Sequence, residues 1–354
     1  MKTYGVIMAG GGGTRFWPLS RKETPKQLLN LSGNNVMVNE AIERLSRVAT
    51  YKDIFIVTNA VQKDKLMQIV DRRIKEDHVL VESAARNTAP CIGYAAIEIM
   101  KKYGDGIMVI TPSDAYIKDS ETFANILRTA IKTVRDTDKL VTIGITPTYP
   151  STGYGYINYE ESADQVKKVL RFVEKPNIKL AKKYFKSGNF VWNSGIFVWK
   201  ASTILQKYEE FLPDVYHCLQ QLAESFGRDD EKEVIENIYP LIPSISVDYG
   251  IMEKCNDIMV VPGEFGWNDV GSWDTFGVLH EPDDNGNIAL GNVMAFDTEN
   301  STIYSSGRLV SVVGAKNLVV VETPDAVLVC SKENAQDVKK VVDALKKKGR
   351  EDLL

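Results

Sequence analysis

Apolar residues in the first half of the chain follow two alternating periods. Short apolar runs at Tyr4–Ala9, Ile54–Val57, His78–Val81, Ile107–Ile110 and Leu140–Ile145 have the length of buried strands. Between them, apolar positions return every three or four residues. Val38, Ala41, Ile42 and Leu45 form one such set, and Val61–Val70, Ala89–Met100 and Phe123–Val134 form others. That spacing predicts helices, with Pro90 tolerated in a first turn. Strand–helix–strand alternation implies an α/β domain, a mixed but mostly parallel sheet with helices on both faces. In such sheets ligands bind beyond the carboxyl ends of the strands. The pattern then changes. Tyr154–Tyr159 and Gln165–Glu174 read as a strand hairpin, Phe190–Lys200 as a long apolar strand, the stretch from Ser202 to about Tyr239 as helical, and Ile258–Val261 as a strand. After His280 come short β-rich runs, Val293–Phe296, Leu309–Val313, Leu318–Val321 and Ala326–Val329, separated by turn clusters. They predict a small β module, closed by an amphipathic helix over Ala335–Lys348. Pro282-Asp283-Asp284-Asn285-Gly286 reads as the linker. The expected units are therefore residues 1–280 and 281–354.

Composition narrows the function. Forty-three basic against 47 acidic residues give a net charge of −4, which argues against a nucleic-acid surface. No apolar run approaches a membrane span, and the short apolar start breaks into glycines, so neither a membrane partner nor a signal peptide is expected, and a cytoplasmic location follows. The four cysteines and three histidines show no metal-ligand spacing, so any metal is expected on carboxylates.

The stretch from Met8 to Gln27, MAGGGGTRFWPLSRKETPKQ, carries the strongest chemical signal. A strand runs into Gly10, Gly11, Gly12 and Gly13, followed by Thr14, Arg15, Arg21 and Lys26. Glycines let bare backbone N–H groups approach an anion, and the cations would stabilise a departing pyrophosphate, so the stretch reads as a polyphosphate cradle. It fits neither a P-loop nor the dinucleotide fingerprint. Asp114, just after the fourth strand, and Asp269, in a Trp-rich turn, are candidate hard-oxygen ligands for Mg²⁺. Glu82 follows the third strand. Guanine offers two adjacent donors, which a carboxylate suits; the alternative is that backbone groups near Asn87 read the base while Glu82 holds ribose or caps the next helix. Phe172-Val173-Glu174-Lys175-Pro176 places Lys175 to bridge phosphates and Glu174 to accept from sugar hydroxyls. Asn193 could read a hydroxyl, and Gly153 offers N–H groups and close approach. Asp248 reads as a helix cap.

Together, GGGGTRFWPLSR…PKQ, ESAARNTAP, TPSDAYI, STGYGYI, FVEKP, WNSGIF, SVDYGIMEK and WNDVGSW resemble the sugar-1-phosphate nucleotidyltransferases, over roughly Lys2 to Trp273. Within that family the resemblance is to members that join GTP and α-D-mannose 1-phosphate. It implies a Rossmann-like catalytic domain, a left-handed β-helix-like tail, and Mg²⁺ as cofactor. By the same resemblance, Arg15 and Lys26 contact the triphosphate, Lys175 the sugar phosphate, Asp114 and Asp269 the metal, and Gly153, Glu174 and Asn193 the sugar. The alternatives are another sugar phosphate or nucleotide, or a non-catalytic nucleotide-sugar sensor. Longer members carry an added isomerase domain, so a single activity is expected here. The tail is expected to serve assembly, as a homodimer or larger, rather than chemistry.

Overall fold

The computed structural model describes residues Met1–Leu354. Its first half alternates β1 (Thr3–Met8), α1 (Met37–Leu45), β2 (Ile54–Asn59), α2 (Ala60–Ile69), β3 (Val79–Glu82), α3 (Thr88–Tyr103), β4 (Ile107–Pro112), a two-residue β5 (Tyr116–Ile117), α4 (Ser120–Asp136) and β6 (Leu140–Ile145). The second half adds β7 (Tyr156–Tyr159), β8 (Lys167–Val173), α5 (Ile178–Ser187), β9 (Phe190–Lys200), α6 (Ala201–Phe211), α7 (Pro213–Ser225), α8 (Glu231–Ile238), β10 (Ile258–Gly263) and a two-residue β11 (Trp267–Asn268). Nine strands form one sheet in the order β3-β2-β1-β4-β9-β6-β10-β8-β7. β1, β2, β3 and β4 pair in parallel, while β9 is inserted antiparallel between β4 and β6. The β7–β8 hairpin pairs as expected.

Both sheet faces are covered, because strand side chains alternate between two apolar cores. Val6, Phe55, Val57, Met108, Ile110, Phe197 and Trp199 pack under α3, α6 and α7. Ile7, Ile54, Ile56, Val109 and Val198 point the other way, against α1 and α4. Local signals set the helix starts. The Asp119 carboxylate accepts from the Glu121 and Thr122 amides ahead of α4, and Asn87 caps α3.

After residue 287 come β12 (Ile288–Leu290), β13 (Val293–Phe296), β14 (Thr302–Ser305), β15 (Val310–Val313), β16 (Leu318–Thr323) and β17 (Ala326–Ser331), then α9 (Val338–Lys347). β12, β14 and β16 stack in parallel, as do β13 and β15; β17 closes the first stack antiparallel. Parallel stacking of every other short strand is the signature of a coiled β-helix. Ile303, Val312 and Val320 pack together inside the coil, while Val319, Val321 and Leu328, with Val338 and Val342 of α9, share a core with Phe16, Trp17, Val270 and Trp273. No helix is long and apolar enough to cross a membrane.

Candidate active site

The glycine loop leaves β1 at the carboxyl edge of the sheet, with Glu82 at the end of β3, one strand beyond β2, and Asp114 two residues past the end of the adjacent β4. Three side-chain amides hold the loop's carbonyls. Gln27 donates to Ala9 and Gly11 at 2.8 and 2.9 Å, Asn59 to Gly10 at 3.3 Å, and Gln62 to Gly11 at 3.1 Å. The amide N–H groups of Gly10, Gly11, Gly12 and Gly13 have no hydrogen-bond partner in the protein. Unpaired donors gathered in one turn form a concave anion site. Gly13 has to be glycine. Its φ is +56°, and a Cβ there would lie 2.8 Å from the Lys26 amide nitrogen. Arg15 is exposed and makes neither an ion pair nor a hydrogen bond through its side chain.

Lys26 is buried, its side chain 4% exposed, and its ammonium joins two loops. It donates to the Asp114 carbonyl at 2.7 Å, to Asp114 Oδ2 at 3.1 Å and to the Asp269 carbonyl at 2.6 Å. The same two loops are tied by β5 and β11, which pair Trp267 with Ile117 and Asn268 with Tyr116. Tyr154 donates to Asp269 Oδ1 at 2.7 Å, and burial with the nearby Asp269 charge holds that phenol well above its usual range. Val270, next in the chain, is fully buried with φ +43°. A β-branched residue there stores strain of about 1–3 kcal/mol, held by the surrounding core. Asp114 and Asp269 thus stand on separate loops around one ammonium. Two carboxylates, that of Asp114 43% exposed, are hard oxygen donors of the type a divalent cation takes. No group of three or more His, Cys, Asp or Glu that could hold a metal ion is assembled anywhere in the chain, so a cation here would have only these two carboxylates from the protein.

Glu82 and Asn87 line a cavity of about 320 Å³ together with Gly10, Gly11, Ser113 and Asp114. Glu82 does not cap α3, one of the roles its sequence position allows; Asn87, at φ +71°, does so by accepting from Thr88 N at 2.8 Å. One Glu82 oxygen accepts from the Tyr239 hydroxyl. Burial pushes its pKa up to about 7, against the opposing Tyr239 bond. The other oxygen faces Gly10, where a Cβ would come within 3.0 Å of it.

Glu174, Lys175, Asn193 and Asp248 form a second cluster. Lys175, at φ +43°, sits 3.1 Å from Glu174 Oε1. The Glu174 side chain is 8% exposed, its amide donates to Glu253 at 2.7 Å, and its Oε2 is buried without a partner. Asn193 donates to Asp248 Oδ1 at 2.7 Å while its own oxygen accepts from Gly195 N. Asp248 is therefore not the helix cap expected from its local sequence. It opens a π-helical turn over Asp248–Met252, with its carboxylate turned to Asn193. Burial and the Glu174 charge push its pKa up to about 6. The close approach expected at Gly153 falls at Gly155, where any Cβ would run into Glu174 Oε2; the Gly153 N–H bonds to Ser151 Oγ at 3.1 Å. No hydrogen bond or ion pair joins Lys175 to the Lys26 cluster. The 151–156 loop reaches both groups: Tyr154 bonds to Asp269, and the Gly155 carbonyl accepts from the Asn193 amide at 2.8 Å.

Sequence reasoning missed Gln27, Gln62, Tyr154 and Asp248. Gln27, Tyr154 and Asp248 fall inside motifs already singled out, but nothing local shows which partner each one faces. The sequence groups Arg21 with the phosphate cations, and the tail engages it instead: it donates to the Leu353 carbonyl and to Asp325.

The nucleotidyl transferase family model matches residues 4–284, and the MannoseP isomerase/GMP-like beta-helix domain model matches residues 291–345. The xanthan biosynthesis protein XanB of Xanthomonas campestris pv. campestris strain B100 is 40% identical over 346 residues, covering 98% of this chain and 73% of that protein. A mannose-1-phosphate guanylyltransferase of Salmonella montevideo is 38% identical over 353 residues, 98% of this chain and 74% of that one. A crystal structure described as a mannose-1-phosphate geranyltransferase from Thermus thermophilus superposes with a TM-score of 0.89 at 32% identity, covering 98% of this chain and all of that one.

Proposed function

This chain belongs to the nucleotidyl transferase family, and on that premise we infer that it transfers GMP from GTP to mannose 1-phosphate, giving GDP-mannose and pyrophosphate. The observation that supports the phosphate site best is the row of four unpaired amide groups at Gly10–Gly13, with Arg15 exposed beside it. An oxygen of the sugar phosphate attacks the α-phosphorus in line. The bond from that phosphorus to the α–β bridging oxygen breaks, and the electron pair leaves with pyrophosphate. No protein nucleophile is required; catalysis is positioning and charge stabilisation. The loop amides, Arg15 and Lys26 would take the charge that grows on the leaving group. Lys175 would hold the attacking phosphate, with Glu174 and Asn193 on the sugar. Asp114 and Asp269 would hold Mg²⁺, which when bound neutralises phosphate charge.

The test is pyrophosphate release across a panel of nucleotides and sugar phosphates with Mg²⁺. GTP with mannose 1-phosphate should turn over fastest; a higher kcat/KM with another pair would overturn the assignment. Lys175→Ala should raise the KM for mannose 1-phosphate roughly tenfold, about 1.4 kcal/mol, and leave that for GTP within about twofold. A change confined to GTP would place this lysine on the other substrate.

Glu82 would accept from a guanine N–H through the oxygen not bonded to Tyr239. That acceptor is weakened when the carboxyl is protonated, because the charge is lost and one oxygen becomes a hydroxyl donor. With a pKa of about 7, kcat/KM for GTP should fall as pH drops from 8 to 6. Glu82→Gln should cost about 1.5–3 kcal/mol in GTP use at pH 8, the scale of a bond to a charged group, flatten that pH dependence, and reduce UTP use less. An unchanged GTP-to-UTP ratio of kcat/KM in the variant would remove Glu82 from the base.

A further inference from the structure

The expectation that the tail serves assembly alone leaves one set of contacts without a purpose. We infer that the C-terminal module forms the outer wall of the nucleotide pocket, and that Arg21 is the positioning residue that holds this wall against the glycine loop. The inference rests on the nucleotide site proposed above.

Arg21 lies six residues after Arg15, yet the two face different partners. Its side chain is 17% exposed. Nη1 donates to the Leu353 carbonyl at 2.9 Å, and Nη2 to Asp325 Oδ1 at 2.6 Å. Trp17 Nε1 donates to the same Leu353 carbonyl at 2.9 Å, and the Arg21 guanidinium sits 5.6 Å from the Trp17 ring centre. Beneath these bonds, Phe16 and Trp17 share a core with Val319, Val321, Val338 and Val342. The module also reaches the other phosphate-side loop. Gln336 donates to Ser272, three residues after Asp269, while Trp273 Nε1 donates to the Trp17 carbonyl at 3.2 Å.

Between loop and module lies a cavity of about 750 Å³. Gly10, Gly12 and Glu82 line one side, and Val342, Lys346 and Glu351 the other. The loop is therefore held from two directions. Gln27, Asn59 and Gln62 fix its carbonyls from the sheet side, and the module fixes the turn that follows it. A loop whose amides must meet phosphate gains affinity when it is ordered beforehand, because less entropy is lost on binding. Lys346 adds a cation to the wall and Glu351 an anion.

The competing assignment for Arg21 is direct contact with the triphosphate. The two differ at Asp325, which belongs to the module. Under the wall assignment, breaking the Arg21–Asp325 pair loosens the loop. Under direct contact, it frees the cation and helps the nucleotide.

The experiment uses the full chain with Asp325→Ala, Arg21→Met and Arg21→Lys. Steady-state kinetics with GTP and mannose 1-phosphate are paired with amide hydrogen exchange over residues 14–22. There Phe16, Leu19 and Ser20 N–H groups are hydrogen-bonded and report on the turn. Asp325→Ala and Arg21→Met should each raise the KM for GTP about fivefold to tenfold, with kcat at saturating GTP within about twofold and the KM for mannose 1-phosphate unchanged. Exchange of 14–22 should quicken in both. Arg21→Lys should recover part of the loss, since one donor can still reach Leu353. A GTP KM at or below the wild-type value in Asp325→Ala, with a raised one in Arg21→Met, would make Arg21 a phosphate contact and overturn the inference. Unchanged exchange in both variants would overturn it equally. If the wild-type protein turns over no GTP with mannose 1-phosphate, the functional reading fails, while the exchange arm still reports on the wall.

Discussion

Asp114→Asn and Asp269→Asn should each lower kcat by at least about 100-fold, near 2.7 kcal/mol of transition-state stabilisation. The amide keeps the size of the carboxyl and an oxygen that can accept from Tyr154, so the loops should stay in place. What is lost is one negative charge on a hard ligand. A divalent cation with only two protein carboxylates and the substrate phosphates around it tolerates that badly. Stability should barely change for Asp114, whose side chain is 43% exposed and whose ion pair to Lys26 is partly solvated. The measurement is pyrophosphate release against Mg²⁺ concentration, with thermal unfolding as the control. Rates near wild type in both variants, at unchanged Mg²⁺ dependence, would remove the metal from these two residues.

Lys26→Met should produce the second large effect, a fall in kcat/KM of about 1,000-fold together with a lower Tm. The side chain is buried and its ammonium bonds to two carbonyls and a carboxylate. Methionine fills the same space but leaves the Asp114 and Asp269 carbonyls unpaired, a cost of about 1–3 kcal/mol for each group that stays buried. For a chain of this size, each kcal/mol lowers Tm by about 1–2 °C. The kinetic loss has two sources: the missing cation near the leaving pyrophosphate, and two carbonyl-bearing loops no longer joined. Activity per folded molecule separates them. If Tm falls while kcat/KM corrected for the folded fraction stays within about tenfold, Lys26 joins the loops and does not touch the phosphates.

Much of this architecture is visible before any coordinates. Phe190–Lys200 reads directly as a strand because most of its residues are apolar or aromatic, and both faces of that strand are covered. The glycine loop and its neighbours Glu82 and Asp114 follow from their positions after apolar runs. What the sequence hides is short or distant. β12 and β14 have three and four residues, and Ile288-Ala-Leu or Thr302-Ile-Tyr-Ser between turns gives no period to count. β5 and β11 are pairs of residues that become strands only because they meet each other. Asp248 carries a local capping signal, and its partner Asn193 lies 55 residues earlier. Arg21 shares a motif with phosphate cations, while its partner Asp325 stands 304 positions away. Local propensity cannot rank such contacts; tertiary packing decides them.

The bond from Trp17 to the Leu353 carbonyl spans 336 residues. This gives the site an order of assembly during synthesis. At about 5–20 residues per second, the glycine loop leaves the ribosome roughly 17–67 seconds before its outer wall exists. β1 can pair with β2 and β4 within that interval, since those strands follow within the first 112 residues. Meanwhile Phe16 and Trp17 remain without the valines of β16 and α9 that bury them. The nascent chain therefore carries Phe16 and Trp17 with only the early part of their core, Leu29, Leu31 and Met37, beside an unfinished nucleotide loop. The earliest-made part of the active site is the last to be sealed.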